Sequence, residues 1–443
     1  MGSFKRGIET EYVGAAKNAG IEKMPATGYV VLPFDRPNGQ ESLCVAAGSR
    51  VKKGELLVRG DLLHEPVFSS VSGSVVSVGE VMTLRGKAQA VTVENDFKEE
   101  WHPSVQPFSK PLLRAAPEEI REFLKNKGIE NLDGEGLSLE RKLSLAAGKA
   151  KEVIVNCLEC EPYLHGVHSL LIHEAAAVAG GARILAAALG VKRISFVMDL
   201  KRRDEAVSLR NQLKGKNLSA RFRFLSAKYP QQEERQMILA VKHREIPLSV
   251  APERLGIASF GVHTVYAVYQ AFVTGMPQVE RVVTVEGDCV LQPSNLRVPL
   301  GAPLSELISR CGGFSTSPGR VLIGGPFSGK EEKNLQIPVT GEIKAILAFA
   351  EKETETAASC VRCGRCALVC PQRLTPTSLA RLYRKNKIGG RDRRFLSDCR
   401  ECGCCSAVCP VKIPLLKRIR AGKEAFSEKK YESEREKRNG NPT

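Results

Sequence analysis

From Gly28 to about Glu100 the apolar residues come in short runs, VVLPF at 30–34, ELLVRG at 55–60 and VSGSV at 71–75. Turn-rich stretches such as Gly48-Ser-Arg-Val-Lys-Lys-Gly54 separate them. A period of two bounded by turn residues predicts a small all-β unit. The rhythm then changes. Pro117-Glu-Glu-Ile-Arg-Glu-Phe-Leu carries a helix-start signature, with proline first and acids in the opening turn. Glu152–Asn156 (EVIVN) is an apolar run of strand length. A polar loop follows, Cys157-Leu-Glu-Cys-Glu-Pro-Tyr163, then a helical pattern of small residues from His168 to about Leu189. Arg193–Met198 and Arg203–Lys214 repeat the strand–helix order, which predicts a parallel sheet. Ligands of such sheets sit at the carboxyl ends of strands, so the loop 157–163 is the expected nucleotide position. Arg281–Thr284, Leu296–Val298 and Arg320–Ile323 predict strands of a small α+β unit, with Pro303–Arg310 as its helix.

The chain has 443 residues, 42% of them hydrophobic and 26% charged, enough to bury several cores and unlike a disordered composition. Two early segments, GSRVKKGELL and FSSVSGSVVSV, look like the halves of a barrel-sandwich (lipoyl-like) domain. Such domains can carry a prosthetic group on a hairpin lysine. Gly60–Phe68 between the halves contains none, so a structural role is expected there. No stretch reaches the ~18 uncharged apolar residues of a membrane span. The best, Ala175–Leu189, is interrupted by Arg183 and contains a Gly pair, and so predicts a buried helix. Met1–Arg6 lacks the apolar run of a secretory signal. The expected setting is cytoplasmic, where thiols stay reduced.

That setting bears on the 14 cysteines, nine of which fall between Cys360 and Cys409. Two copies of one pattern stand there, Cys360-x2-Cys363-x2-Cys366-x3-Cys370-Pro371 and Cys399-x2-Cys402-x2-Cys405-x3-Cys409-Pro410. Three cysteines at this spacing wrap one iron–sulfur cubane, and the fourth, before proline, reaches the other. Two [4Fe–4S] clusters are therefore expected, one on Cys360, Cys363, Cys366 and Cys409, the other on Cys399, Cys402, Cys405 and Cys370. Zinc usually takes one tetrahedral quartet from paired knuckles, which this interlocked pattern does not resemble. Cys404 reads as a neighbour that is not a ligand. Cys44, Cys157, Cys160, Cys289 and Cys311 are scattered and read as small buried residues.

Several further segments stand in order: NCLECEPYL, KYPQQEERQ, ERVVTVEGDCVLQPSNLRVPLGAPLSELI, GGPFSG and SDCRECGCCSAVCPVKIPLLKRIR. With them the chain resembles the RnfC family from about Gly28 to Gly422. That family supplies the cluster-bearing subunit of ion-translocating ferredoxin:NAD oxidoreductases. Its relatives include a cobalamin reductase and a proline-reductase-associated electron carrier, and it is similar to the flavin- and NADH-binding subunit of respiratory complex I. The resemblance implies an α/β multidomain protein. Its parts would be an N-terminal extension (1–25), a β-rich barrel-sandwich domain (26–100), a helical linker (101–150) and a Rossmann-like nucleotide-binding core (151–275). An SLBB β-grasp domain (276–340), a two-cluster ferredoxin-like helical module (341–425) and a disordered charged tail (426–443) would follow. It also implies FMN and NADH in the α/β core, with Asn156, Glu159 and Glu161 on the acidic loop and Gly134 and Gly136 in the phosphate loop.

Two readings of the activity stay open. In one, NADH and FMN feed the clusters; in the other the chain is a flavin-free relay to a partner reductase, or reduces a corrin like its cobalamin-reductase relatives. The relay draws on Asp133-Gly-Glu-Gly-Leu-Ser-Leu-Glu-Arg-Lys142, where bulky side chains replace the family's GxGGAxFPT-type loop. It draws also on Gln232-Glu233 and Gly261-Val-His-Thr264, where the family usually has glycine and asparagine. The formal charge of +17 points to acidic partners, such as a flavodoxin, a ferredoxin, or reductase or complex subunits. Between Gln372 and Arg394 the basic residues Arg373, Arg381, Arg384, Lys385, Lys387, Arg391, Arg393 and Arg394 face one acid, Asp392. Aromatics are 6% and no nucleic-acid module is visible, so nucleic acid is not an expected partner. Attachment to the inner face of a membrane is expected only through partner subunits.

Overall fold

The protein is described by a computed structural model over residues 6–34, 42–60, 64–130, 138–214, 219–248, 250–351, 359–385 and 390–425. The chain divides into two units. One comprises Glu11–Ala227 and Gln231–Glu351; the other comprises the described residues of Phe4–Thr10, Lys228–Pro230 and Lys352–Thr443. The expected tail, 426–443, lies outside the described residues.

In the first unit the β-rich domain is an antiparallel sheet in the order Tyr29–Phe34, Gly86–Asn95, Gly73–Thr83, Arg50–Val51, beside a small pair, Leu56–Val58 with Val67–Phe68. Alternation along Tyr29–Phe34 sends Val30, Leu32 and Phe34 inward onto Val51, Leu57, Val75, Val91 and Val93. Gly73 lies so close to the neighbouring strand that a Cβ would stand 1.8 Å from the Glu94 carbonyl oxygen, a site only glycine fills. The same alternation corrects one expectation. Leu43 and Val45 pack on this core, which leaves Cys44 between them exposed. The other four scattered cysteines are buried.

The central layer is a four-stranded parallel sheet in the order Ser219–Leu225, Arg193–Asp199, Glu152–Asn156, Ile257–Gly261. Both faces are covered, so its strands bury apolar side chains on both sides, with Val153, Ile154, Val155, Phe196 and Phe260 fully buried. The stretch read as a linker supplies helices Pro117–Lys125 and Leu139–Ala146, and Ile120, Leu124, Leu139 and Leu143 share the sheet's apolar core. The single helix expected from His168 to Leu189 is two, Gly166–His173 and Ala175–Ala188, bent 96° apart. Glu174 is the break (φ −124°, ψ 29°), and its carboxylate accepts a hydrogen bond from Arg297 at 2.5 Å. The bend lets the first helix pack toward the neighbouring mixed sheet while the second lies on helix Val262–Thr274. Among the described residues no single helix is long and apolar enough to cross a membrane.

The mixed sheet runs Lys330–Glu331, Arg320–Ile323, Ala345–Phe349, Glu280–Glu286, Ser294–Pro299, Ile21–Lys23. Helix Leu304–Arg310 closes its core with Leu304, Leu307 and Ile308. Two of its strands come from outside 276–340. Ala345–Phe349 pairs in the middle of the sheet, and Ile21–Lys23 from the expected extension adds an edge. The second unit is helical, with Leu374, Leu379, Leu396, Ile413, Leu415 and Ile419 packed around cysteines; its two-stranded pair is Ile8–Glu9 with Lys228–Tyr229.

The crossing of helices Ala175–Ala188 and Val262–Thr274 depends on Gly181, where a Cβ would lie 1.9 Å from the Val265 carbonyl oxygen. Alanine normally favours a helix interior by ~1 kcal/mol over glycine. Here the clash reverses that sign. Gly181→Ala is expected to destabilise the first unit by at least about 2 kcal/mol, read as a lower thermal midpoint. Gly28→Ala, which meets nothing within 4 Å, leaves the midpoint in place.

Candidate functional site

The two cysteine motifs fold alike because each repeats the same backbone angles. Arg362 and Glu401, one residue before the second cysteine of each copy, are left-handed (φ 56° and 53°), as are Gly364 and Gly403 (φ 75° and 78°). Arg373 and Lys412 repeat the match after each Cys-Pro (φ 55° and 46°). Ala367 donates its N–H to Gly364 and Ser406 donates its N–H to Gly403, starting the short helices Arg365–Val369 and Cys404–Ala407. Such turns aim backbone N–H groups inward, where they stabilise anionic sulfur. Arg362 donates its N–H to Cys360 Sγ and Ile413 donates its N–H to Cys409 Sγ, each at 3.4 Å. The N–H groups of Thr377 and Ala367 face Cys366, and those of Leu374 and Gln372 face Cys370.

A cavity of about 220 Å³ is lined by Cys360, Cys363, Cys366 and Cys409, with Val361, Thr375, Thr377 and Ile413 among its walls. Three of these thiols come from one motif and the fourth from the other. The remaining four stand together with Cys404: Cys399 lies near Cys402 and Cys370, Cys405 near Cys402, Cys399 and Cys370, and Cys404 near Cys402, Cys405 and Cys370. Burial pushes the thiols of Cys366, Cys370 and Cys399 up from their usual range, and that of Cys405 up to about 12. As thiolates they therefore need a strong cationic partner. Among the described residues no three His, Cys, Asp or Glu side chains converge on a single metal ion. Soft donors around a space larger than one ion, with N–H groups on the sulfurs, fit iron–sulfur cubanes. Cys404 is fully buried, and its thiol donates to the Tyr229 carbonyl at 3.9 Å.

At the carboxyl end of the parallel sheet the polar side chains face the protein itself. Asn156 donates Nδ2–H to the Gln232 carbonyl at 2.8 Å and accepts from Leu158 N–H at 3.2 Å. Glu159 caps helix Gly166–His173, accepting from Val167 and His168 N–H at 3.2 and 3.3 Å. Glu161 accepts from Phe327 and Ser328 N–H and from the Ser328 hydroxyl, at 3.0, 2.9 and 2.8 Å. Burial raises both carboxyls above the usual range, against these donors. Gly134 and Gly136 lie outside the described residues. Glu233 accepts from Gln236 N–H as a helix cap, and His263 is held well below its usual range, first by burial. As these side chains stand, the acidic loop's carboxylates are engaged by the protein's own N–H and hydroxyl groups.

Sequence reasoning missed what fills this end. Tyr12, from the expected extension, donates its hydroxyl to Asp199 at 3.1 Å, and the Arg202 guanidinium lies 3.7 Å over its ring. Glu286 accepts from Ala16 N–H at 2.7 Å, and Asn295 joins the carbonyls of Ala16 and Ala19 to the Ser169 hydroxyl. No motif marks Tyr12. A second omission was detectable. Lys142 falls on the same helical face as Leu139, Leu143 and Ala146, and it is buried against Glu234 at 2.7 Å and Glu253 at 3.9 Å. A lysine at a core-facing position signals a buried ionic partner.

Comparison with known proteins adds to this geometry. Four family models match in chain order: the RnfC barrel sandwich hybrid domain over 2–98, the Nuo51 FMN-binding domain over 124–270, the SLBB domain over 282–328 and the 4Fe-4S dicluster domain over 352–431. The C subunit of the ion-translocating oxidoreductase complex of Rhodobacter capsulatus is 31% identical over 399 residues, covering 86% of this chain and 75% of the relative. The C subunit of the Na(+)-translocating ferredoxin:NAD(+) oxidoreductase complex of Acetobacterium woodii is 30% identical over 399 residues, covering 87% and 88%. Among solved structures, the NAD+-reducing [NiFe]-hydrogenase in the air-oxidized state superposes with a TM-score of 0.51 at 15% identity. That match covers 71% of this chain and 65% of that one, a likeness of fold alone.

His165 sits beneath the N-terminal segment, fully buried, with the Val13 carbonyl beside it but no hydrogen bond on either ring nitrogen. Burial, with Arg202 and His168 nearby, lowers its pKa from 6.5 to about 4. Between those values the unfolded chain holds the proton that the folded chain lacks. Stability is therefore full above pH 6.5 and falls as pH drops toward 4, by up to about 1.4 kcal/mol per pH unit. In a denaturation series from pH 7 to 4, His165→Gln is expected to lose less stability than the parent.

Proposed function

Because the chain belongs to the RnfC family, the C subunits of ion-translocating oxidoreductase complexes, we propose that it relays single electrons through two [4Fe–4S] clusters held by interlocked cysteine quartets. The iron–sulfur electron-transfer role follows from the family and from its dicluster domain. The finer assignment is ours. Cys360, Cys363, Cys366 and Cys409 hold one cluster; Cys399, Cys402, Cys405 and Cys370 hold the other. The observation that carries it is the cavity walled by three thiols of one motif and the fourth of its partner motif. A bound cluster supplies one-electron storage at nearly fixed geometry. The protein's part is to hold eight thiolates, donate N–H groups to sulfur, and exclude water with Leu374, Ile413 and Leu415. The named relatives are subunits of complexes, and this chain likewise works with partner subunits, among them an acidic redox protein drawn by its positive charge. Any contact with a membrane runs through those partners.

A second reading is favoured by the match to an FMN-binding domain over 124–270: NADH and FMN load the relay from the α/β core. Flavin would supply the conversion between a two-electron donor and one-electron carriers. This reading requires Asn156, Glu159 and Glu161 to exchange their internal partners for a cofactor's. Acid extraction of anaerobically purified protein separates the two. Released FMN, with visible absorbance bleached by NADH and that bleaching weakened in Glu159→Gln or Glu161→Gln, supports flavin loading. A cluster-only spectrum that dithionite but not NADH bleaches supports the relay alone.

The quartet assignment predicts unequal damage from two equivalent-looking substitutions. Cys370→Ser should remove the cluster of Cys399, Cys402 and Cys405, and Cys409→Ser that of the first motif, each with about half of the iron. Paramagnetic resonance of the reduced variants should show complementary residual signals. Zinc in place of iron, no acid-labile sulfide, or the same residual signal from both variants overturns the assignment.

A further inference from the structure

The two cysteine loops are copies in sequence and in backbone angles, but not in exposure. In the first, Val361, Arg362, Cys363, Gly364 and Arg365 are all exposed, Val361 at 59%, and Leu368 on the helix that follows is 70% exposed. In the second, Cys399 to Cys402 are half-buried and Gly403, Cys404 and Cys405 are buried. The cover is specific. Tyr229 donates its hydroxyl to the Cys402 carbonyl at 2.5 Å, and Lys423 donates to the Cys399 carbonyl at 2.7 Å. Glu401 accepts from Lys423 at 2.7 Å and from Arg420 at 3.0 Å. The first loop carries the opposite charge at the matching left-handed position: Arg362 stands where the second has Glu401.

Val361 and Leu368 are exposed where the second motif has Arg400 and Ala407. Arg362, Arg365 and Arg381 line the first-quartet cavity beside Val361, and Arg373 and Lys412 are exposed in the flanking segments, so this apolar surface is accompanied by positive charge. That combination suits a transient interface with an acidic protein, where charge speeds encounter and a few apolar contacts define the pose. We propose that this face docks an acidic one-electron carrier protein and that the first quartet exchanges electrons with it, the second lying on the sheltered side of the relay. The inference rests on the two-quartet reading above. Each encounter moves one electron, oxidising one protein and reducing the other by one, and no bond is made or broken.

The test uses the anaerobic, cluster-loaded full chain with a bacterial [4Fe–4S] ferredoxin of net negative charge as probe. Its dissociation constant and electron-exchange rate are measured at several salt concentrations. The double variant Arg373→Glu/Arg381→Glu should weaken binding at least tenfold and flatten the salt dependence. Leu368→Asp should weaken binding too, while Lys98→Glu on the first unit changes nothing. Iron, sulfide and the dithionite-reduced resonance spectrum should match the parent in every variant. Unchanged ferredoxin binding in variants with intact clusters overturns the docking face and leaves the quartets standing. Loss of binding only to anionic lipid vesicles or to single-stranded DNA overturns it equally, by assigning the face to another partner. A parent chain without iron and sulfide overturns the quartet reading itself.

Discussion

The exchange of the fourth cysteine between two adjacent motifs is the constraint on which the second unit depends. Three thiols of the first motif line one cavity with Cys409, the last thiol of the second. In the proposed assignment neither site is complete without its sequence neighbour. Leu374, Leu379, Leu396, Ile413 and Ile419 add a modest apolar core around Cys370 and Cys405, whose thiols burial pushes upward. Thiols disfavoured as anions need the positive charge of the clusters they hold.

The first unit is organised differently, by carboxylates that cap backbone N–H groups across element boundaries. Glu159 joins the acidic loop to a helix, Glu161 joins it to the turn at 327–328, and Glu286 ties down the N-terminal segment. Burial raises the carboxyls of Glu159 and Glu161, and the donors offset that cost. The chemistry that makes such acids attractive to a ribose or a nicotinamide also makes them good caps. In this chain the capping role is satisfied by the protein, and Tyr12 with Arg202 occupies the strand ends beside it. An electron relay has no need of that crevice, whereas a flavin-loaded enzyme does, and the difference between the readings comes down to these few hydrogen bonds.

The two cysteine loops show how a duplicated sequence acquires two environments. Backbone angles and spacing are shared, so both can hold the same kind of centre. Exposure is not shared, because Tyr229, Arg420 and Lys423 reach the second loop.

The sequence alone determined the family, the α/β class and the eight thiols, because local spacing encodes them. CxxCxxCxxxCP is read without knowing any distant contact, and the strand–helix order that begins at Glu152–Asn156 and repeats from Arg193 announces a parallel sheet. Tertiary structure alone decided that the helix after residue 165 breaks at Glu174, that residues 21–23 and 345–349 complete one sheet, and that Tyr12 lies on Asp199. It also decided which loop stays open. Each of these outcomes rests on a partner far along the chain, an Arg297 for Glu174 or a Tyr229 for Cys402, and no local periodicity carries that information.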